Sequence, residues 1–562
     1  MVFLQSLWNA LETVDAKERD QYSSLFPTNS EAIAFDPKLY SIALGLEPSP
    51  TSQNLPVDLP PHDGVHHGST VSHTQILSFL PSQEECRIMM KNYLDTVEGT
   101  HRLFHLPTLK RELADFWLHP EFAEHDWLSQ YFMMLALGYR TPDEDHRTLW
   151  TGVETNSLSS IRKLVIAARV CLQKSSYALA AKNTIIRALA LMAILIQAKG
   201  HSCQNIDACR PWLDMAARHC RALGHHKAWR NVPSLSNEDD FVARRIWITV
   251  SYLLLRQSMS SGSPLLLLPS DYKNLRLENL NDEDVGLRAC YLSEPMACNW
   301  TEGTNQALLA ESLHTAVDIV SRANAPSDEH NGGEAVNYDT VLEYDALLRR
   351  LLHASSVAAV NPCSGGEFAD SWPTRQHLLI TIFLRRLLLI LHLPFADKLL
   401  MQTADVDSTQ SPVGRLVDRW SLLENSLAIL VAQRSMFEYV PNVGSGNMHM
   451  DIYEELLKQD FFIAALVCGI QIKSESQDEP SQARSHGIQS KTDEYHDQHR
   501  QPELGVPSQP TKSPRQTVLQ ALESCRTIWG RRLRNQPGED CSFWIYIVLG
   551  KIIDSLGEGL GT

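Results

Sequence analysis

The chain has 562 residues, with 50 Lys and Arg against 66 Asp and Glu and a formal net charge of −16 at pH 7. This length permits two to four domains or one continuous helical body. The acidic balance argues against direct binding of nucleic acid by the surface as a whole. The longest basic run is short, with Arg531, Arg532 and Arg534. Two or three arginines at the end of a helix are usually just exposed to solvent and do not indicate a DNA-binding patch.

The cysteine pattern and the first residues exclude several protein classes. Eleven cysteines are scattered along the chain, and the closest two, Cys203 and Cys209, are six residues apart. Because no CxxC pair occurs, the usual zinc-finger, ribbon and binuclear-cluster patterns are excluded for this sequence. We expect small buried hydrophobic cysteines in a reducing interior. The start, MVFLQSLWNALETVDAKERD, lacks a basic leading region and predicts an amphipathic helix, not a signal peptide.

Composition divides the chain into segments. Two stretches rich in Pro, Ser, Gln, His and charge have almost nothing to bury and are predicted to be disordered. The predicted organisation is a short amino-terminal helical segment at 1–47, a linker at 48–75, a large helical domain at 76–472, an insert at 473–517, and carboxy-terminal helices at 518–562 that dock on the main domain.

Hydrophobic periodicity predicts an all-α fold, a large irregular multi-helix domain with disordered linkers. Apolar residues recur at helical spacing, and no run of strict alternation competes with them. Gly224 predicts the end of one helix, and Ser236 with Asp239 predicts a capping box at the start of the next. A face that docks on the main domain is predicted near the carboxy terminus, formed by Trp544, Ile547, Val548 and Ile552. The predicted helices are 84–97, 106–117, 126–138, 157–173, 183–199, 207–223, 238–259, 304–324, 339–354, 373–392, 415–434 and 450–471.

The most apolar stretch, HLLITIFLRRLLLILHLPF at 377–395, is interrupted by Arg385 and Arg386. Two charges at the middle of a bilayer are costly, so the stretch predicts a buried helix and not a membrane span.

The stretch RHCRALGHHKAWR at 218–230 brings His219, Cys220, His225 and His226 close together in sequence, as a metal or catalytic site would. On the predicted helix, however, His219 shares an apolar stripe with Trp212, Met215, Ala216 and Leu223, while Cys220 points about 100° away. The two histidines after Gly224 lie at the helix exit. We therefore interpret the stretch as packing and capping.

Other candidate sites are weaker still. GHSCQ at 200–204 resembles a nucleophile elbow but ends in Gln204 and has no preceding strand, and HDGVHH at 62–67 lies in the predicted linker. Glu238, Asp239 and Asp240 cluster at a helix start, where carboxylates complement the dipole. No nucleotide-binding or metalloprotease motif occurs, so no catalytic, cofactor-binding or metal-binding residue is assigned.

Five segments, taken in order, resemble the fungal-specific transcription factor domain, the all-α middle region of fungal zinc-cluster regulators. They are the segment 80–117 with Tyr93, Phe104, His105, Pro107, Thr108 and Trp117, the helix and exit at 208–229, the segment 239–272 with Asp240, Arg244, Arg245, Trp247, Gly262 and Pro264, LENLNDEDV at 277–285, and FLRRLLLILHLPF at 383–395.

The sequence departs from that family at several points. Leu255 stands where the family usually has an aspartate before the arginine equivalent to Arg256, which puts one buried ion pair in doubt, and His225 replaces a leucine. The family's six-cysteine zinc cluster, basic linker and coiled coil have no counterpart here.

The resemblance implies a nuclear transcription regulator or coregulator, acting on DNA only indirectly through a DNA-binding transcription factor or another regulatory protein, in a fungal specialised-metabolite gene cluster. A small-molecule effector and a homodimer are further expectations, and no membrane is implied. The alternative is a helical enzyme or small-molecule-binding protein with no assigned cofactor, for which a cavity containing His219 or His105 is expected.

Overall fold

A computed structural model describes the chain over residues 72–139, 156–198, 208–227, 237–272, 275–285, 300–325, 338–360, 372–400, 412–438, 451–482, 514–534 and 541–557. No β-strand occurs within these ranges, and helices account for most of them. The predicted all-α fold is confirmed.

The helices follow the hydrophobic periodicity closely. Each predicted window coincides with one helix except 84–97, which covers the α-helix Gln83–Tyr93 and the π-helical turn Leu94–Glu98. In chain order they are α1 (His73–Leu77), α2 (Gln83–Tyr93), α3 (Gly99–His101), α4 (Leu106–Leu118), α5 (His125–Gly138), α6 (Asn156–Lys174), α7 (Asn183–Ala198), α8 (Arg210–Leu223), α9 (Asn237–Ser261), α10 (Thr304–Ala323), α11 (Tyr338–Val360), α12 (Trp372–Leu400), α13 (Pro412–Glu438), α14 (Asp451–Gln482), α15 (Pro514–Arg534) and α16 (Cys541–Gly557).

Two hydrophobic cores lie on opposite sides of α12. The larger core is built from α1 to α11 and receives Phe383, Leu384 and Leu387 from α12. The smaller core is built from α13 to α16 and receives Ile382 and Leu389. A helix that is apolar all round is buried all round, and α12 therefore joins the two cores.

The same helix contains the segment Pro373–Phe395, which has the length and composition of a membrane span, but 67% of its most apolar window is buried inside the protein. Its two arginines lie at polar positions. Arg385 donates to Asn425 at 3.0 Å, and Arg386 is buried 3.7 Å from Asp460. The predicted buried helix is confirmed.

Helix ends and segment boundaries agree with the sequence in part. Gly224 ends α8 in the left-handed region, with φ +79°, as predicted, whereas Ser236 lies outside the described residues. Helix α14 continues to Gln482, into the stretch expected to be disordered from residue 473. The predicted linker 48–75 and insert 473–517 otherwise lie almost entirely outside the described residues.

The buried face of α16 differs from the predicted one. It consists of Ile545, Leu549, Ile552 and Leu556, which repeat at helical spacing. Val548 is only partly buried, and the side chain of Trp544 lies outside the described residues. The face is thus rotated relative to the prediction, because two adjacent apolar stripes compete on this helix and only contact with its neighbours selects one.

Candidate functional site

The His and Cys stretch around α8 contacts three different parts of the protein. His219 and Cys220 are both buried, and His219 hydrogen bonds to the backbone of Tyr177. The ring Nε2 of His225 lies 2.7 Å from the side-chain oxygen of Asn183. The ring of His226 lies edge-on to Trp247, with centroids 6.1 Å apart. Of the residues predicted to form the apolar face of α8, Trp212, Ala216 and His219 are buried, whereas Leu223 is exposed.

Burial controls the charge of these histidines. It lowers the pKa of His219, with Arg218 adding to the effect, and it lowers the pKa of His225 to about 4, aided by Arg187 and His226. Within the described parts of the chain, no group of three His, Cys, Asp or Glu side chains is arranged to hold a metal ion. The rings of His219 and His225, whose charged forms burial disfavours, pack against separate partners.

The segment that follows α3 is a buried turn held by side chains. Arg102 adopts the left-handed region at φ +48°, and the turn exposes its carbonyl groups to the interior. Side chains from three helices satisfy them. Thr249 and Gln306 donate hydrogen bonds to the carbonyl of His101. Arg245 donates to the carbonyls of Arg102 and Phe104, and Arg187 donates to the carbonyl of Leu103. The donor–acceptor distances are 2.6–3.2 Å.

Asp282 lies at the centre of a buried ionic cluster beside this turn. The side chains of Arg102 and Arg245 both lie 2.6 Å from its Oδ1, and the backbone N–H of Leu106 donates to its Oδ2 at 2.7 Å. Burial alone would raise the pKa of the Asp282 carboxyl, but Arg245 and Arg102 hold it well below its usual range. We call these three residues the Asp282 cluster.

The Asp282 cluster gathers most of the segments that carry the sequence resemblance. The ring of His105 lies 3.0 Å from the carbonyl of Asp282, and Tyr93 donates to Glu98, whose other oxygen accepts from the N–H of Phe104 at 2.8 Å. Burial raises the pKa of Glu98, against the opposing effect of the arginines. Residues from three of the five segments, 80–117, 239–272 and 277–285, therefore meet here, where they hold the turn after α3 in place.

The acidic start of α9 takes part in the same network. Glu238 accepts from Thr108 at 3.1 Å and lies 3.0 Å from the ring of His105. Asp240 pairs with Arg244 at 3.2 Å. Glu238 thus binds the neighbouring helix α4, whereas Asp240 pairs within α9.

The ion pair of Arg256, which the sequence put in doubt, is present with another partner. Arg256 donates to Asp460 on α14 at 2.8 Å, while Leu255 is buried in the larger core. Although burial opposes the charged form, Asp460 and Tyr252 raise the pKa of Arg256. An aspartate 204 positions away replaces the expected neighbour, so this salt bridge connects α9 with α14.

His392, in the last motif of the resemblance, lies between two carboxylates. Its Nδ1 is 2.7 Å from Asp418 and its Nε2 is 2.9 Å from Asp345. Burial favours the neutral ring, but the hydrogen bonds to Asp345 and Asp418 outweigh it and raise the pKa of His392. When the ring is protonated, both nitrogens donate, and His392 connects α11, α12 and α13.

A small cavity with mixed polar and apolar walls lies where α3, α9, α10, α12 and α14 meet. It is lined in part by His101, Tyr252, Arg256, Asn305 and Tyr453, and it has room for about one water molecule. Burial, with Arg256, lowers the pKa of His101 to about 4. Neither His219 nor His105 lines this cavity.

An exposed apolar stripe runs along α13. Trp420 is 67% exposed, and Val417 and Val431 are also exposed. Together with Glu424 they lie within one narrow arc of the helix. Glu424 pairs with Arg349 on α11 at 2.8 Å, and Leu342, also exposed, lies on the same side of α11 as Arg349. We call Leu342, Val417, Trp420 and Val431 the Trp420 surface.

The Trp420 surface has the composition of a protein contact. An exposed tryptophan is the side chain most enriched where partner proteins bind tightly, and a charged pair at its edge is typical of the rim of an interface. The sequence pattern did not reveal it, because α13 is apolar on several faces and only packing separates the exposed face from the buried one.

Two of the candidate motifs cannot be placed. GHSCQ at 200–204 and HDGVHH at 62–67 lie outside the described residues. Arg531, Arg532 and Arg534 belong to α15, but their side chains are not described.

No family model matches the chain, and no solved structure matches it. Transcription factor opdR of Penicillium oxalicum is 28% identical over 329 residues, which are 57% of this chain and 39% of that protein. The Aspyridones cluster regulator apdR of Emericella nidulans is 28% identical over 195 residues, 33% of this chain and 25% of that protein.

A third relative is the Zn(2)-C6 fungal-type transcription factor mpsB of Macrophomina phaseolina, 22% identical over 228 residues, 39% of this chain and 29% of that protein. The chain thus spans less than half of the length of each of these relatives. The relatives of this chain are fungal transcription factors, Zn(2)-C6 factors among them, as the order of its sequence motifs predicted.

Proposed function

We propose that this chain is a fungal transcription regulator or coregulator that acts in the nucleus through protein partners. The observation that carries this proposal is the similarity to named transcription factors over more than half of the chain. The name of one relative, a regulator of the aspyridones cluster, supports control of a gene cluster for specialised metabolism.

The proposed mode of action is a protein contact at the Trp420 surface. The formal net charge of −16 repels DNA, so the chain would reach its target genes through a DNA-binding transcription factor or another regulatory protein. Burying Trp420 against an apolar pocket of that partner would supply most of the binding free energy, with the Arg349 and Glu424 pair at the edge.

We propose a regulatory and not an enzymatic role for the helical body. The Asp282 carboxylate is bound to two buried arginines and a backbone N–H, and the cavity that His101 lines has room for about one water molecule. A metabolite of ordinary size needs several hundred Å³ of space, so it would fit this cavity only if the cavity opened.

Transcript profiling of a strain that lacks the gene tests the proposal. We expect the transcripts of one set of genes, grouped in a biosynthetic cluster, to change, and reintroduction of the intact gene to restore them. If every transcript stayed unchanged while one metabolic precursor accumulated, the chain would be an enzyme and the proposal would be abandoned.

A further inference from the structure

Large apolar side chains are exposed around the turn that follows α4. Leu118, the last residue of α4, is 71% exposed, and Phe122, two residues past the start of that turn, is 78% exposed. Phe79, which follows α1, is also exposed, and α1 contacts the same turn. We call these three residues the Phe122 surface. Single exposed apolar residues are common, but a group of them is typical of a surface that another segment covers.

The exposed side of α4 next to this surface is acidic at its carboxy-terminal end and basic nearer its start. Asp115 and Glu121 are exposed near Leu118, whereas Lys110 and Arg111 are exposed about two helical turns earlier. A segment that covers α4 would thus be favoured if it carried no acidic residue beside Leu118 and carried acidic residues beside Lys110 and Arg111.

The first residues of the same chain have this pattern. Residues 1–11 contain no acidic residue, and Glu12 and Asp15 follow them. At helical spacing, Phe3, Leu4, Leu7, Trp8 and Leu11 form one apolar face. About nine residues of helix separate Phe3 from Glu12, a length close to the distance along α4 from Leu118 to Lys110.

The chain between the amino-terminal segment and the Phe122 surface is long enough to let them meet. The described chain begins at Ser72, which caps α1 and so lies beside the Phe122 surface. Residues 15–71 join the amino-terminal segment to Ser72, and a chain of that length can span far more than the distance to this surface. Attachment to the same chain raises the effective concentration of the segment, so even weak contacts keep it bound.

We propose that residues 2–14 dock as an amphipathic helix on the Phe122 surface of the same chain, antiparallel to α4. Phe3, Leu4 and Leu7 cover Leu118 and Phe122, and Glu12 with Asp15 lies opposite Lys110 and Arg111. The amino-terminal segment is then held against the larger core next to α4, and this contact does not depend on the proposed regulatory function.

Photo-crosslinking of the full chain tests this proposal. A photoreactive phenylalanine analogue replaces Phe122 in one variant and Trp420 in a control variant, and crosslinked peptides are identified by mass spectrometry from an equal mixture of isotopically light and heavy chains. We expect the analogue at 122 to crosslink to residues 2–14 within one chain, and the analogue at 420 not to do so.

A further variant with Leu7→Asp and Trp8→Asp removes the centre of the apolar face. It should lower the crosslinking yield at 122 by at least about tenfold, since two side chains that the contact would bury are replaced by charged ones. Light-to-heavy crosslinks at 122 would show that a second copy covers the surface. Crosslinks from 122 to other segments, or an unchanged yield in the Leu7 and Trp8 variant, would equally overturn the proposal.

Discussion

The guanidinium of Arg245 on α9 lies 2.6 Å from the carboxylate of Asp282, and both side chains are almost fully buried. Because Arg245 also donates to the carbonyls of Arg102 and Phe104, it holds the turn after α3 against α9. An active site leaves its reacting groups accessible to a substrate, whereas these two side chains are enclosed in the protein.

The first prediction concerns this pair. Arg245→Met removes one of the two guanidinium partners of Asp282 and the donor to two backbone carbonyls, and the free energy of unfolding should fall by about 3–5 kcal/mol. Urea unfolding followed by circular dichroism measures it. Arg322→Met is the matched control, because Arg322 pairs with Asp318 in the same helix while half exposed, and that change should be under about 0.5 kcal/mol. Equal effects of the two variants would contradict the role given to Asp282.

The second prediction is a pH dependence set by His392. Its pKa is raised in the folded protein by Asp345 and Asp418, so the folded state binds the proton more tightly than the unfolded state. The stabilisation is complete below about pH 6.5, the pKa of an unperturbed histidine, and is lost as the pH rises through the folded pKa. The stability difference between the wild type and His392→Asn should therefore shrink from acid to alkaline pH. A difference that grows with pH would exclude the charged ring.

The third prediction has the opposite sign and concerns His225. Burial, Arg187 and His226 lower the pKa of His225 to about 4, so between about pH 6.5 and pH 4 the unfolded state binds the proton that the folded state does not. Stability must then fall as the pH drops through this window, by up to about 3 kcal/mol. His225→Leu should flatten this acid-side loss in urea titrations at several pH values. An unchanged acid-side slope would show that the His225 ring is accessible to protons.

The fourth prediction compares two glycines. A Cβ at Gly138 would lie 1.9 Å from the backbone oxygen of Met89, so Gly138→Ala forces α2 and α5 apart. A Cβ at Gly224 meets no atom within 4 Å and adds only the strain of a left-handed backbone. We expect Gly138→Ala to lower the melting temperature far more, with losses above about 3 kcal/mol against about 1 kcal/mol. Similar losses would mean that the two helices are less closely packed.

Local patterns in the sequence were enough to predict the helices. Periodic apolar residues located α4 and α9 to within a few residues, and Gly224 gave the end of α8 because a left-handed cap favours glycine. The same geometry placed His219 in the packed face of its helix.

Contacts between distant residues were not predictable in this way. Asp282 and Arg102 are far apart in the chain and meet only after folding, and the partner of Arg256 proved to be Asp460 and not its neighbour. The π-helical turn Leu94–Glu98 and the left-handed Arg102 also escaped prediction, since tertiary contacts impose both. Trp420 reads as one more apolar residue of α13, and only the packing shows that it is exposed.

The most direct test of the central claim, regulation through a protein contact at the Trp420 surface, is complementation of a gene-deletion strain with Trp420→Asp. Leu179→Asp serves as the control, because Leu179 is highly exposed elsewhere on the chain. Both variants should fold with the melting temperature of the wild type, since surface substitutions change stability little. We predict that the control restores the transcripts that deletion alters and that Trp420→Asp does not. Full restoration by Trp420→Asp would contradict the claim.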